Sequence, residues 1–126
     1  MALPAPLTVA ATKPERVANR EVYVIGYPAM DGRRNDPIEM QQIFNGIYNV
    51  KRLQPGLISS WIEGGSVFHH DCSTLGGNSG SPVFDLETHA VVGLHFGGRY
   101  LIGNNAVPLW RLTGDPLLRA GGVNFG

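Results

Sequence analysis

In residues 71–82, DCSTLGGNSGSP, the hydroxyl of Ser79 stands among Gly76, Gly77 and Gly80, and the run closes on Pro82. A serine that attacks a carbonyl carbon needs backbone N–H groups aimed at the oxygen that turns negative. Residues without a Cβ let the main chain come close enough to supply them. Gly77 and Ser79 are placed to give such a pair of donors. The same composition also makes an ordinary turn, because Gly, Asn and Ser dominate turns for conformational reasons. The local pattern alone therefore leaves open an incidental serine in a Gly-rich turn. Two other site types fit worse: a phosphate-binding loop would carry a Lys, and the α/β-hydrolase elbow would have Gly where Ser81 stands.

The elements that must position this serine read as short strands joined by turns. Residues 21–27, EVYVIGY, are rich in β-branched and aromatic types and end at Pro28, which predicts a buried strand. Asp36-Pro37 is a helix-start signal, and a short helix near 37–44 is expected, with an edge strand as the alternative. Residues 47–53 and 57–62 are expected as two strands joined by a turn at Pro55-Gly56, with Gly64-Gly65 as the next turn. Residues 66–70 enter the serine loop, 82–85 leave it, 90–96 return after a turn around 87–89, and 104–108 form the last strand. Asp115-Pro116 marks a closing helical turn near the C-terminus. Strands at this spacing predict an all-β antiparallel barrel rather than an α/β fold. Residues 1–20, interrupted by prolines, read as an extended connector, and 21–126 as the barrel.

Composition narrows the classes of function. A chain of 126 residues is one domain able to bury a real core. With 10 basic and 10 acidic residues the net charge is zero, which gives no footprint for nucleic acid or an anionic membrane. One cysteine, Cys72, excludes an intrachain disulfide and reads as a packed small residue. One Cys and four His show no zinc spacing, and no metal or cofactor is implied. The N-terminal residues make a poor signal peptide, and no apolar run reaches the ~20 residues that span a bilayer. The compartment stays open, with the cytoplasm favoured.

Gly77-Asn78-Ser79-Gly80-Ser81-Pro82, followed by an apolar strand and then Gly93-Leu94-His95-Phe96-Gly97-Gly98, resembles the trypsin-like serine peptidases. Asn78, Thr74 five residues before Ser79, and the Gly-Leu-His-Phe-Gly-Gly strand are most similar to the bacterial glutamyl endopeptidases. The resemblance covers residues 22–108 and implies the second barrel of a two-barrel fold, a six-stranded antiparallel Greek-key barrel. It implies an endopeptidase acting on a peptide or protein substrate through an acyl-enzyme on Ser79, with Gly77 and Ser79 as the oxyanion hole. Thr74 and His95 would then hold an acidic side chain before the scissile bond, and Phe96, Gly97 and Gly98 would pair with the substrate backbone.

A serine hydroxyl is a weak nucleophile that needs a base. In the family a His and an Asp from the first barrel supply it, and these have no counterpart in this sequence. His69 and His70 lie on a predicted strand, one facing in and the other out, and nothing in the family pattern makes either the base. The resemblance therefore implies a partner, an N-terminal barrel in cis or in trans, without which this chain is nearly inert. The competing reading is a noncatalytic barrel that binds peptides or a protein. Asn78 stands where animal digestive relatives carry an Asp that pairs with a newly cut N-terminus. A neutral amide cannot form that ion pair, which leads us to expect a preformed site.

Overall fold

Val22 and Val24 are fully enclosed on one side of a strand whose other side carries Tyr23 and Ile25, and both sides are covered. This is a computed structural model in which residues 4–27, 38, 42, 50–73, 78–99 and 103–126 are described. The strands are β1 (Glu21–Gly26), β2 (Arg52–Trp61), β3 (Phe68–His70), β4 (Pro82–Asp85), β5 (Val91–Arg99) and β6 (Gly103–Pro108). They close into an antiparallel barrel in the order β1-β2-β3-β6-β5-β4. A 3-10 turn, Leu109–Leu112, and one short helix, α1 (Pro116–Ala120), follow. Asp115 caps α1 by accepting from the N–H groups of Leu117 and Leu118, with Pro116 opening the helix. Of the helix expected near 37–44, Ile38 and Gln42 are helical, and the remaining positions lie outside the described residues.

Inside the barrel, Val22, Val24, Ile58, Phe68, Val83, Val92 and Ala106 pack around the Trp110 ring, which stacks on Phe68 at 5.9 Å and meets Trp61 edge-on at 5.5 Å. Burying a side chain such as Phe68 stabilises the fold by about 1.5–3 kcal/mol. Gly93 makes that position available, since a Cβ there would meet the Phe68 ring at 2.5 Å. A second cluster outside the wall joins Val9, Tyr23, Phe84 and Val91. The N-terminal segment expected as a connector is tied to the barrel at this cluster. Val9 bridges to Val91 and Phe125 in parallel, Val91 N–H donates to Thr8 O, and Val17 reaches the inner core.

Residues 52–61 depart from the expectation of two strands and a turn. Pro55-Gly56 is no turn; both residues lie within the ten-residue β2. The physical reason is local. Among the described residues the first half of β2 pairs with β1 alone, because β3 pairs only with residues from Ile58 onward, so a missing N–H at Pro55 is tolerated as on an edge strand. Gly56 serves a close approach instead: a Cβ there would lie 2.6 Å from Cys72 N. The turn expected at Gly64-Gly65 lies one residue earlier, on Glu63-Gly64, with Gly65 N–H donating to Ile62 O and Gly64 at φ 78°.

Strand order decides the path of the serine loop. β3 and β4 are consecutive in the chain, but β6 and β5 stand between them in the barrel. The described parts of the connection, residues 71–73 and 78–81, lie against those two strands. They are stitched to both: Asn104 Nδ2 donates to Cys72 O at 2.8 Å, and Gly80 N–H donates to His95 O at 2.7 Å.

Candidate active site

Ser79 sits exposed at the corner of a tight turn in which Ser81 N–H donates to Asn78 O at 2.9 Å. Gly80, at φ 86°, takes the left-handed conformation that glycine adopts without a Cβ penalty. The turn is clamped to β5 from both sides, since Gly80 N–H donates to His95 O and His95 N–H donates to Ser81 O at 2.9 Å. Below it Asn78 is fully buried, and its Oδ1 accepts from Gln54 Nε2 at 3.1 Å. Gly26, at the end of β1, leaves the space, for a Cβ there would sit on Asn78 Oδ1 and Ser81 Oγ. The hydroxyl is thus presented outward on a backbone held by three strands.

Behind the turn two imidazoles meet. His70 on β3 is 0 % exposed and His95 on β5 is 3 % exposed, with His70 Nε2 3.0 Å from His95 Nδ1. The other nitrogen of His70, Nδ1, accepts the backbone N–H of Cys72 at 3.3 Å. Burial, with the neighbouring His95 and His69 adding to it, lowers His70 to about 3. Burial also lowers His95. Both rings are neutral near pH 7. Cys72 is enclosed too, and burial together with Asp71 pushes its thiol up to about 12, far from a reactive thiolate.

Beyond His95, β5 has one side without a strand partner among the described residues. β4 pairs with it only as far as Leu94, whereas β6 continues along Gly97, Gly98 and Arg99. Among the described residues, the stretch from Phe96 to Gly98 therefore offers an unpaired backbone edge beside the serine turn, bent by an irregularity between His95 and Gly97. Such an edge can accept an extended peptide as an added strand.

A family profile described as the trypsin-like peptidase domain matches residues 2–94. The chain belongs to the trypsin-like peptidase family. This trypsin-like domain is also 54% identical over 35 residues to a glutamyl endopeptidase of Staphylococcus epidermidis, a stretch covering 28% of this chain and 12% of that protein. A glutamyl endopeptidase of Staphylococcus aureus strain MW2 is 56% identical over 34 residues, covering 27% of this chain and 10% of the relative. These matches span about a tenth of the curated relatives' length. Rv3671c from M. tuberculosis H37Rv, solved as an inactive serine-to-alanine mutant, superposes with a TM-score of 0.61 at 22% identity over 94% of this chain and 55% of that one.

Within the trypsin-like domain, Ser79, His95, Phe96, Gly97 and Gly98 converge at one end of β5 and the turn clamped to it. Thr74 and Gly77 lie outside the described residues. His70 faces in and His69 out, as strand alternation predicts. His70 has both ring nitrogens engaged in the core, and among the described residues no histidine is hydrogen-bonded to Ser79. Asp71 is exposed and accepts the N–H of Leu57 at 2.6 Å, which makes it a loop anchor. Sequence reasoning missed Gln54 and the contact of His70 with His95. No local signal marks Gln54, which falls between the strand expected at 47–53 and the turn expected at Pro55-Gly56. For His70 the only hint was that strand alternation turns one of His69 and His70 inward. Among the described residues no cluster of His, Cys, Asp or Glu could hold a metal, and no helix is long and apolar enough to cross a membrane.

Proposed function

We propose that this barrel carries the nucleophile and primary-specificity half of a serine endopeptidase that cleaves after acidic residues, Glu before Asp. The observation that carries the reading is the Ser79-Gly80 turn bonded in both directions to His95, which joins the nucleophile and the specificity imidazole in one rigid unit. In the proposed reaction Ser79 Oγ attacks the scissile carbonyl carbon while its proton passes to a histidine of an N-terminal barrel, supplied in cis or in trans and oriented by that barrel's aspartate. The N–H groups of Gly77 and Ser79 hold the oxyanion. The C–N bond then breaks, the amine leaves with the proton, and water hydrolyses the Ser79 ester by the reverse proton path. The substrate backbone pairs along Phe96, Gly97 and Gly98. His95 and Thr74 both donate to the acidic side chain, a role suited to an imidazole N–H and a hydroxyl.

Without the base, only about 10³–10⁴-fold catalysis over water would remain, which makes the source of the histidine the point to test. The chain is treated with a fluorophosphonate, beside Ser79→Ala, alone and with lysate of its source, and modification is read by intact mass. Labelling of Ser79 only with lysate is expected. Labelling of the pure chain would place a base within it, and no labelling under either condition would favour a noncatalytic binding barrel. A cleavage profile led by basic or large apolar residues would overturn the acidic preference.

A further inference from the structure

We propose that His70 is a positioning residue that fixes the tautomer of His95, so that the specificity imidazole turns an N–H, and not a lone pair, toward its ligand. This rests on the reading of His95 as a specificity residue. Donors and acceptors follow one another from the Cys72 backbone through His70 to His95. The backbone N–H of Cys72 can only donate, so His70 Nδ1, which it meets at 3.3 Å, must accept. A neutral imidazole whose Nδ1 accepts carries its proton on Nε2. That proton points at His95 Nδ1, 3.0 Å away, which must accept in turn. His95 is left with its own proton on Nε2. No described residue hydrogen-bonds to that atom, and it is not among the enclosed unpartnered atoms, of which the described residues show one, Gln54 Oε1. Among the described residues nothing bonds to His95 Nε2–H, which is the corner of the ring left for a ligand.

The chain of bonds has a fixed polarity because its first donor belongs to the main chain, which has no second tautomer. A carboxylate accepts hydrogen bonds only, and a ring presenting a lone pair would repel it. Burial supports the neutral form. With His70 lowered to about 3 and His95 lowered as well, neither ring takes a second proton near neutral pH. The groups around His70 are consistent with this. Phe68 lies beside it at 6.3 Å between ring centroids, the facing β5 group is His95, and the flanking ionisable residues His69 and Asp71 are exposed.

The test is spectroscopic and uses the 126-residue chain itself. Long-range proton–nitrogen correlation of the ¹⁵N-labelled protein at pH 7 reports which ring nitrogen of each histidine is protonated. Nε2–H is expected for both His70 and His95. Nδ1–H on either ring, or fast averaging of the two forms at His95, would overturn the proposal. His70→Gln keeps an N–H donor toward His95 Nδ1 and should preserve the Nε2–H form, whereas His70→Leu should let His95 populate both forms. Identical His95 spectra in the two variants would also overturn it, and if His70→Leu fails to fold, the unmodified protein decides alone. Titration with N-acetylglutamate methylamide tests the other reading separately. Unmoved His95 signals with the tautomer intact would count against the acidic preference while leaving the role of His70 standing.

Discussion

Lowering the pH from 6 to 4 should weaken the fold of this chain by about 2–3 kcal/mol, and His70 should account for most of the loss. In the unfolded chain a histidine titrates near 6.5, while in the barrel His70 is held at about 3 by burial, with His95 and His69 adding to it. The folded value lies below the unfolded one, so the unfolded chain binds the extra proton throughout this window. Stability is complete above about pH 6.5 and falls as the pH drops, at up to about 1.4 kcal/mol per pH unit for one such proton. His95, lowered by the same cause, adds in the same direction. Asp85 does not contribute here. Burial raises its carboxyl, but the Arg20 hydrogen bonds and the Thr88 N–H and Oγ1 lower it further, so its loss begins only below about pH 4. The assay is urea unfolding at pH 6, 5 and 4 followed by the fluorescence of Trp61 and Trp110, beside His70→Gln. The variant should lose about 1.4 kcal/mol per pH unit of the slope. A stability constant to within about 0.5 kcal/mol between pH 6 and 4, or the same slope in the variant, would refute the reasoning.

Three substitutions test the packing that positions the site. Gly26→Ala places a methyl on Asn78 Oδ1 and Ser81 Oγ; it should cost about 1–3 kcal/mol and shift the amide resonances of residues 78–81, and unchanged resonances there would count against the close approach. Arg20→Ala leaves Asp85, whose side chain is 2% exposed, without its bidentate partner. Because Arg20 is partly exposed and Thr88 still donates twice to Asp85, the cost should be about 2 kcal/mol, below that of breaking a fully buried pair; a double-mutant cycle with Asp85→Asn should show strong non-additivity, and additive losses would deny the coupling. Gly93→Ala should destabilise by about 1–3 kcal/mol through its clash with Phe68, and calorimetry should find part of that restored when Phe68→Leu is added.

Much of the site was legible because its chemistry is written locally. Ser79 among glycines, Asn78 before it, and the Gly-Leu-His-Phe-Gly-Gly strand are adjacent in the chain, and their spacing carries the resemblance to trypsin-like peptidases. Period-two alternation predicted that one of His69 and His70 faces in, and the Asp115-Pro116 signal predicted the closing helix. Pro55-Gly56 misled for a physical reason. The pair signals a turn when judged by conformational preference, but here the proline sits where β2 has no second neighbour among the described residues and the glycine yields to the Cys72 backbone. Local preference does not include the strand across the sheet.

By itself the sequence determined an all-β barrel, a serine on a Gly-rich turn and a histidine on the strand that follows, in the pattern of trypsin-like peptidases, because turn chemistry, alternation and motif spacing are properties of neighbours in the chain. The strand order β1-β2-β3-β6-β5-β4 was decided only in three dimensions. That order sets the described ends of the serine loop against β6 and β5, brings His70 to His95 over 25 residues of sequence, and sets Gln54 under Asn78 over 24. Contacts across such separations depend on which strands close the barrel, and the enclosure they create is what keeps the two imidazoles neutral.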